Sequence, residues 1–97
     1  MKTTSEILNL LKSYKNIATS KYGLPKIGIF GSVARGEQTD ESDVDVCYEG
    51  KAPSFLTLDL TQTDLEKLFG AKVNMVRVRV RMNGLLKQRI MKEGIYA

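Results

Sequence analysis

The sequence contains no histidine and no tryptophan, a single cysteine and two prolines, and only 7% aromatic residues. Without imidazole there is no histidine general base and no zinc site of the His-containing kinds. Cys47 alone can form neither an internal disulfide nor a cysteine-rich metal centre, so a reduced, cytoplasmic setting is expected. Apolar runs stop after a few residues, far short of the roughly 20 needed to cross a bilayer, and no membrane is expected among the partners. Near the N-terminus the apolar residues are interrupted by Asn9, Lys12 and Ser13, an amphipathic pattern and not a signal-peptide core.

What is present is an ordinary globular composition: 97 residues, 42% hydrophobic and 27% charged, with a formal net charge of +4. A chain of this length is expected to fold as one domain over residues 1–97 around one small core.

Ile7, Leu8, Leu11, Tyr14, Ile17 and Ala18 recur at helical spacing and predict a helix from Thr4 to about Lys21. Thr3 and Glu6 form a capping-box pattern at its start, and Gly23 with Pro25 closes it. Lys26 to Phe30 reads as a buried strand broken by Gly31-Ser32, with a short helix beginning at Val33-Ala34-Arg35. Residues 36–42 are polar loop, and Asp43 to Tyr48 alternates as a strand with two chemically different faces does. Ser54 is placed to cap a helix running to Phe69, although Thr61 and Thr63 weaken its middle and move its expected start later. Residues 71–80 carry the strongest strand pattern, with Arg77, Arg79 and Arg81 on one face between Val76, Val78 and Val80. Asn83 should cap a last helix ending at Gly94, after which Ile95-Tyr96 returns to the sheet. Helices alternating with strands imply an α+β (α/β) fold, a small mixed β-sheet flanked by helices.

One stretch carries chemistry. A glycine directly after a buried strand, Gly31, lets a ligand approach the backbone where a Cβ would obstruct it. If a helix starts there, its free N–H groups attract phosphate, with Ser32 adding a hydroxyl donor and Arg35 a charged one about a turn later. Asp43 and Asp45 share one face of the next strand, about 6.5–7 Å apart along the backbone. Two such carboxylates repel unless a cation lies between or beside them, and hard oxygen ligands suit Mg²⁺. Each half alone has a bland explanation: a strand-to-helix turn, and the solvated face of an edge strand. Among eleven acids in 97 positions, acid-x-acid pairs also arise by chance, as Glu41-Asp43 and Asp64-Glu66 illustrate. The combination, in this order, predicts a site for an Mg-bound nucleoside triphosphate. No Gly-Lys-Ser/Thr follows a glycine loop, which excludes a Walker-type cradle, and the dinucleotide fingerprint is absent.

Gly31-Ser32, followed ten residues on by Asp43-Val44-Asp45, resembles the signature of the DNA polymerase beta-type nucleotidyltransferase superfamily. The fuller run GSVARGEQTDESDVDV resembles its small prokaryotic branch, the minimal nucleotidyltransferases. That resemblance implies the nucleotidyltransferase fold, with Gly31 and Ser32 holding the triphosphate and Asp43 and Asp45 binding two Mg²⁺ ions. The implied reaction transfers a nucleoside monophosphate, AMP from ATP, to an acceptor hydroxyl and releases pyrophosphate. A HEPN-type partner protein is implied as well, with some members of the branch acting as antitoxins that AMPylate the partner toxin.

One position departs from the family pattern, which places a third carboxylate on the next central strand. Here the matching text is Val73-Asn74-Met75-Val76. Asn74 carries no charge and cannot serve as a base, and it leaves the second Mg²⁺ without support. A lost base and metal ligand costs on the order of 10²–10⁴ in rate. Two functions therefore stay open: a transferase, and a catalytically degenerate relative that binds nucleotide or partner. An ordinary polar strand residue is the third account of Asn74. The basic residues Arg77, Arg79, Arg81, Lys87, Arg89 and Lys92 could serve nucleic acid or an acidic protein. With no aromatics among them, a solvated face is favoured over nucleic-acid binding.

Overall fold

The computed structural model describes residues 1–79 and 81–97. Thr3 opens the first helix, α1 (Thr4–Tyr22): its hydroxyl accepts from the Glu6 amide, and the Glu6 carboxylate accepts from the Thr3 N–H. Both halves of the expected capping box are formed. The chain continues through β1 (Lys26–Phe30), α2 (Gly31–Arg35), β2 (Val44–Glu49), α3 (Phe55–Phe69), β3 (Val73–Arg77), α4 (Gly84–Glu93) and β4 (Ile95–Tyr96). The four strands form one sheet in the order β3-β2-β1-β4. β1 runs antiparallel to β2 and β4, whereas β2 and β3 are parallel. A parallel pair needs a crossover, which α3 supplies.

Alternation along the strands sorts the side chains between two unequal faces. Ile27, Ile29, Val44, Val46 and Val73 point to the main core, where they meet Ile7 and Leu11 of α1 and Leu65 and Phe69 of α3. The Tyr14 and Tyr22 hydroxyls both donate to Asp64 Oδ2, at 2.9 and 3.4 Å, and tie α1 to α3 over that core. The opposite face buries Phe30, Cys47 and Ile90, with Val76, Val78, Met82 and Leu86 packed around them under α4. Asp45 is half-buried and Asn74 exposed on this thinly covered face. The sheet thus has one sealed side and one partly open side.

Several boundaries differ from the sequence expectation, α2 among them, which starts at Gly31 and not at Val33. α3 starts at Phe55, immediately after its Ser54 cap, and not later. Thr61 does not interrupt it, because the buried hydroxyl turns back to donate to the Thr57 carbonyl, 2.8 Å away. Asp43 lies one residue before β2, whose first ladder residue, Val44, donates its N–H to the Lys72 carbonyl. β3 ends at Arg77, opposite Tyr48 near the end of β2, so the arginines do not line up along one strand. Arg77 instead donates to the Gly50 carbonyl, and Arg79 to the carbonyls of Arg77 and Arg81. The strand expectation at Val80 lies outside the described residues. No described helix is long and apolar enough to cross a membrane.

Candidate active site

β1 and β2 converge where Phe30 pairs with Asp45. There the chain leaves the sheet at Gly31, which is buried and has φ +74°, a conformation that side chains disfavour. A Cβ built on Gly31 would overlap Asp45 Oδ2, so the carboxylate packs directly on the glycine. Position 31 is therefore restricted twice, by backbone conformation and by space. α2 begins at Gly31 with no side-chain cap from Phe30, and Ser32 follows half-buried. The Thr4 hydroxyl donates to the Val33 carbonyl and anchors this short helix to α1. Sequence reasoning missed that anchor, because nothing local links residues 29 positions apart.

Parallel pairing sets Asn74 directly across from Asp45. Asn74 Nδ2 donates to Asp45 Oδ1 at 3.2 Å and to Asp43 Oδ2 at 3.3 Å. Three of the expected site residues thus meet on the open face, and Asn74 occupies the third-strand position read from the sequence. The amide stands its donor end towards the two carboxylates because its carbonyl end would repel them. Beside Asp43, Lys2, Glu6, Asp40, Phe69 and Lys72 help line a cavity of about 650 Å³.

Two carboxylates within reach of a single nitrogen form a compact, hard-oxygen donor set that fits one small divalent cation. Among the described residues, no three His, Cys, Asp or Glu side chains come together as a metal cluster. Asp43 and Asp45 are thus the carboxylates this chain brings to a cation there.

Arg35 is placed differently from the expectation. Its Nε donates to Glu37 Oε2 at 3.0 Å and its Nη1 to Glu93 Oε2 at 2.9 Å, and it forms no ion pair with Asp43 or Asp45. Hydrogen bonding to Glu37, followed by the charge of Glu93, holds its guanidinium protonated still more firmly than usual. The guanidinium thus ties the end of α2 to α4. Glu93, 58 residues away in sequence, gave no local signal of this role.

Comparison with known proteins bears on the family and the fold. The family model described as "Polymerase beta, Nucleotidyltransferase" matches residues 5–96. A Methanocaldococcus jannaschii protein, provisionally named a protein adenylyltransferase, is 42% identical over 100 residues, covering 99% of each chain. A solved structure provisionally described as a minimal nucleotidyltransferase superposes with a TM-score of 0.69 at 27% identity, covering 91% of this chain and 93% of that one. Another, of a tri-AMPylated Shewanella oneidensis HEPN toxin in complex with MNT antitoxin, shares the fold, with a TM-score of 0.68 at 17% identity, covering 97% of this chain and 71% of that one. Matched over nearly its whole length, this chain belongs to the Polymerase beta nucleotidyltransferase family.

Proposed function

We propose that the chain is a magnesium-dependent nucleotidyltransferase that moves AMP from ATP to a hydroxyl on a HEPN-type protein partner. The observation that carries this reading is the meeting of Asp43 and Asp45 beside the Gly31 turn, on the open face of the sheet. The name of the M. jannaschii relative supports adenylate transfer to protein. The MNT antitoxin bound to an AMPylated HEPN toxin supports the choice of partner.

Asp43 and Asp45 would hold the cation, which, when bound, offsets charge on the phosphates. Gly31 leaves room for the Asp45 carboxylate against the backbone, and Ser32 offers a phosphate a hydroxyl donor. Arg35, held by Glu37 and Glu93, would serve the triphosphate by exchanging one of these carboxylates for it. With no histidine and a neutral Asn74, this chain has no base of its own at the third position, so the acceptor's surroundings supply one. In this reading the partner completes the acceptor side of the site. A free, buried Cys47 fits a cytoplasmic setting.

Asn74 favours a second reading, in which the protein binds nucleotide and partner without turnover. Incubating the protein, Mg²⁺ and the HEPN-type partner with ATP labelled in its adenylate group separates the two. Label on the partner is expected; bound nucleotide with no label transferred would support the second reading instead.

A further inference from the structure

We infer that this site takes one divalent cation with the nucleotide, and that Asn74 sets that number. The inference rests on the nucleotide-binding reading above and adds what the ladder itself imposes. Parallel pairing leaves only position 74 directly across from Asp45, so any further protein ligand from the neighbouring strand must come from there. What stands there is a carboxamide with its N–H₂ end already shared between Asp43 and Asp45.

The charge arithmetic is simple. On the protein side two carboxylates match one divalent cation, and the amide adds no charge to hold a second beside the triphosphate. Nor does a nearby acid make up the difference. Of the acids that line the cavity with Asp43, Glu6 accepts from the Thr3 N–H and Asp40 pairs with the N-terminal ammonium, while Glu41 joins no metal-ligating cluster. Among the described residues no third metal-ligating side chain joins the pair. In the absence of a cation the Asn74 N–H₂ offsets the repulsion between the two carboxylates, a task an aspartate at this position cannot do. Asn74 therefore trades a second cation for a site that is electrostatically settled when empty.

Asn74→Asp keeps the side-chain shape, adds a third negative charge and removes the bridging donor. Its metal-free melting temperature should fall below that of the wild type and recover on adding Mn²⁺. The decisive measurement is Mn²⁺ stoichiometry by electron paramagnetic resonance, with a non-hydrolysable ATP analogue bound. One Mn²⁺ per bound analogue in the wild type and two in Asn74→Asp are expected. Two in the wild type, or one in both, would overturn the inference while leaving nucleotide binding intact. Failure of the wild type to bind the analogue with Mn²⁺ would overturn the underlying reading and this inference with it. The wild-type stoichiometry decides the matter alone if Asn74→Asp does not fold.

Discussion

Asp45 rests its carboxylate against the Cα of Gly31, so closely that no larger residue fits at position 31 without moving it. The pairing of Phe30 with Asp45 fixes both residues at one end of the β1–β2 ladder. Gly31→Ala therefore meets two penalties at once, a side chain at φ +74° and an overlap with Asp45 Oδ2. Strain of this kind costs about 1–3 kcal/mol. Urea unfolding should show that loss, and ATP titration should show weaker binding than Ser32→Ala produces. Wild-type affinity in Gly31→Ala would mean that the contact has no part in the site.

Arg35 offers a test of whether it serves the nucleotide or the fold. Glu37 is exposed and Glu93 half-buried, and partly exposed pairs of this kind add little stability. Glu93→Gln removes one of the two charges that hold Arg35, leaving Glu37, so the melting temperature should change little and ATP affinity should rise. Arg35→Ala should lower it. If neither substitution alters ATP affinity, Arg35 is only a tie between α2 and α4.

Burial pushes the Cys47 thiol up from 9.0 to about 11. Below pH 9 the folded and unfolded states both keep the proton, so this group contributes no pH dependence there. Between pH 9 and 11 the unfolded chain releases it first, and stability falls as pH rises. Tyr14, raised chiefly by burial and then by its bond to Asp64, acts with the same sign at higher pH. Urea midpoints measured from pH 8 to 11 should decline, and the decline should be shallower in Cys47→Ala. The native thiol should also resist a disulfide reagent at pH 8 until the protein is unfolded. Prompt labelling would contradict its burial.

Tyr14 and Tyr22 converge on one oxygen of Asp64, with Tyr14 making the shorter bond. Tyr14→Phe removes a hydrogen bond to a charged group while keeping the ring in the core. The expected cost is about 1.5–3 kcal/mol, near the lower end because Tyr22 remains. Tyr22→Phe should cost less. The order of the two urea midpoints checks the geometry.

Much of the architecture is legible locally because caps and alternation act within a few residues. Thr3 with Glu6 and Asn83 each announce a helix that forms where expected, Ser54 caps one that starts earlier than expected, and alternation from Val44 to Tyr48 marks the buried strand face. The length of β3 is different, since it depends on where β2 stops pairing. Thr61 misled because a helical hydroxyl can satisfy itself on the carbonyl four residues back. At the site, the types and spacing of Gly31, Asp43 and Asp45 marked the candidate residues, and the fold brings Asn74 to the two carboxylates. The bridging direction of the Asn74 amide and the Glu93 hold on Arg35 depend on partners 29 or more residues away. Neither leaves a mark in local sequence.

Calorimetric titration of the wild type and of an Asp43→Ala/Asp45→Ala double variant with ATP and Mg²⁺ puts the central claim to its most direct test. Saturable, Mg²⁺-dependent binding is expected in the wild type, with affinity reduced by more than about 100-fold in the variant, beyond the usual cost of losing a ligand's supporting contact. Binding of equal strength in both proteins would show that the paired carboxylates do not hold the nucleotide's cation.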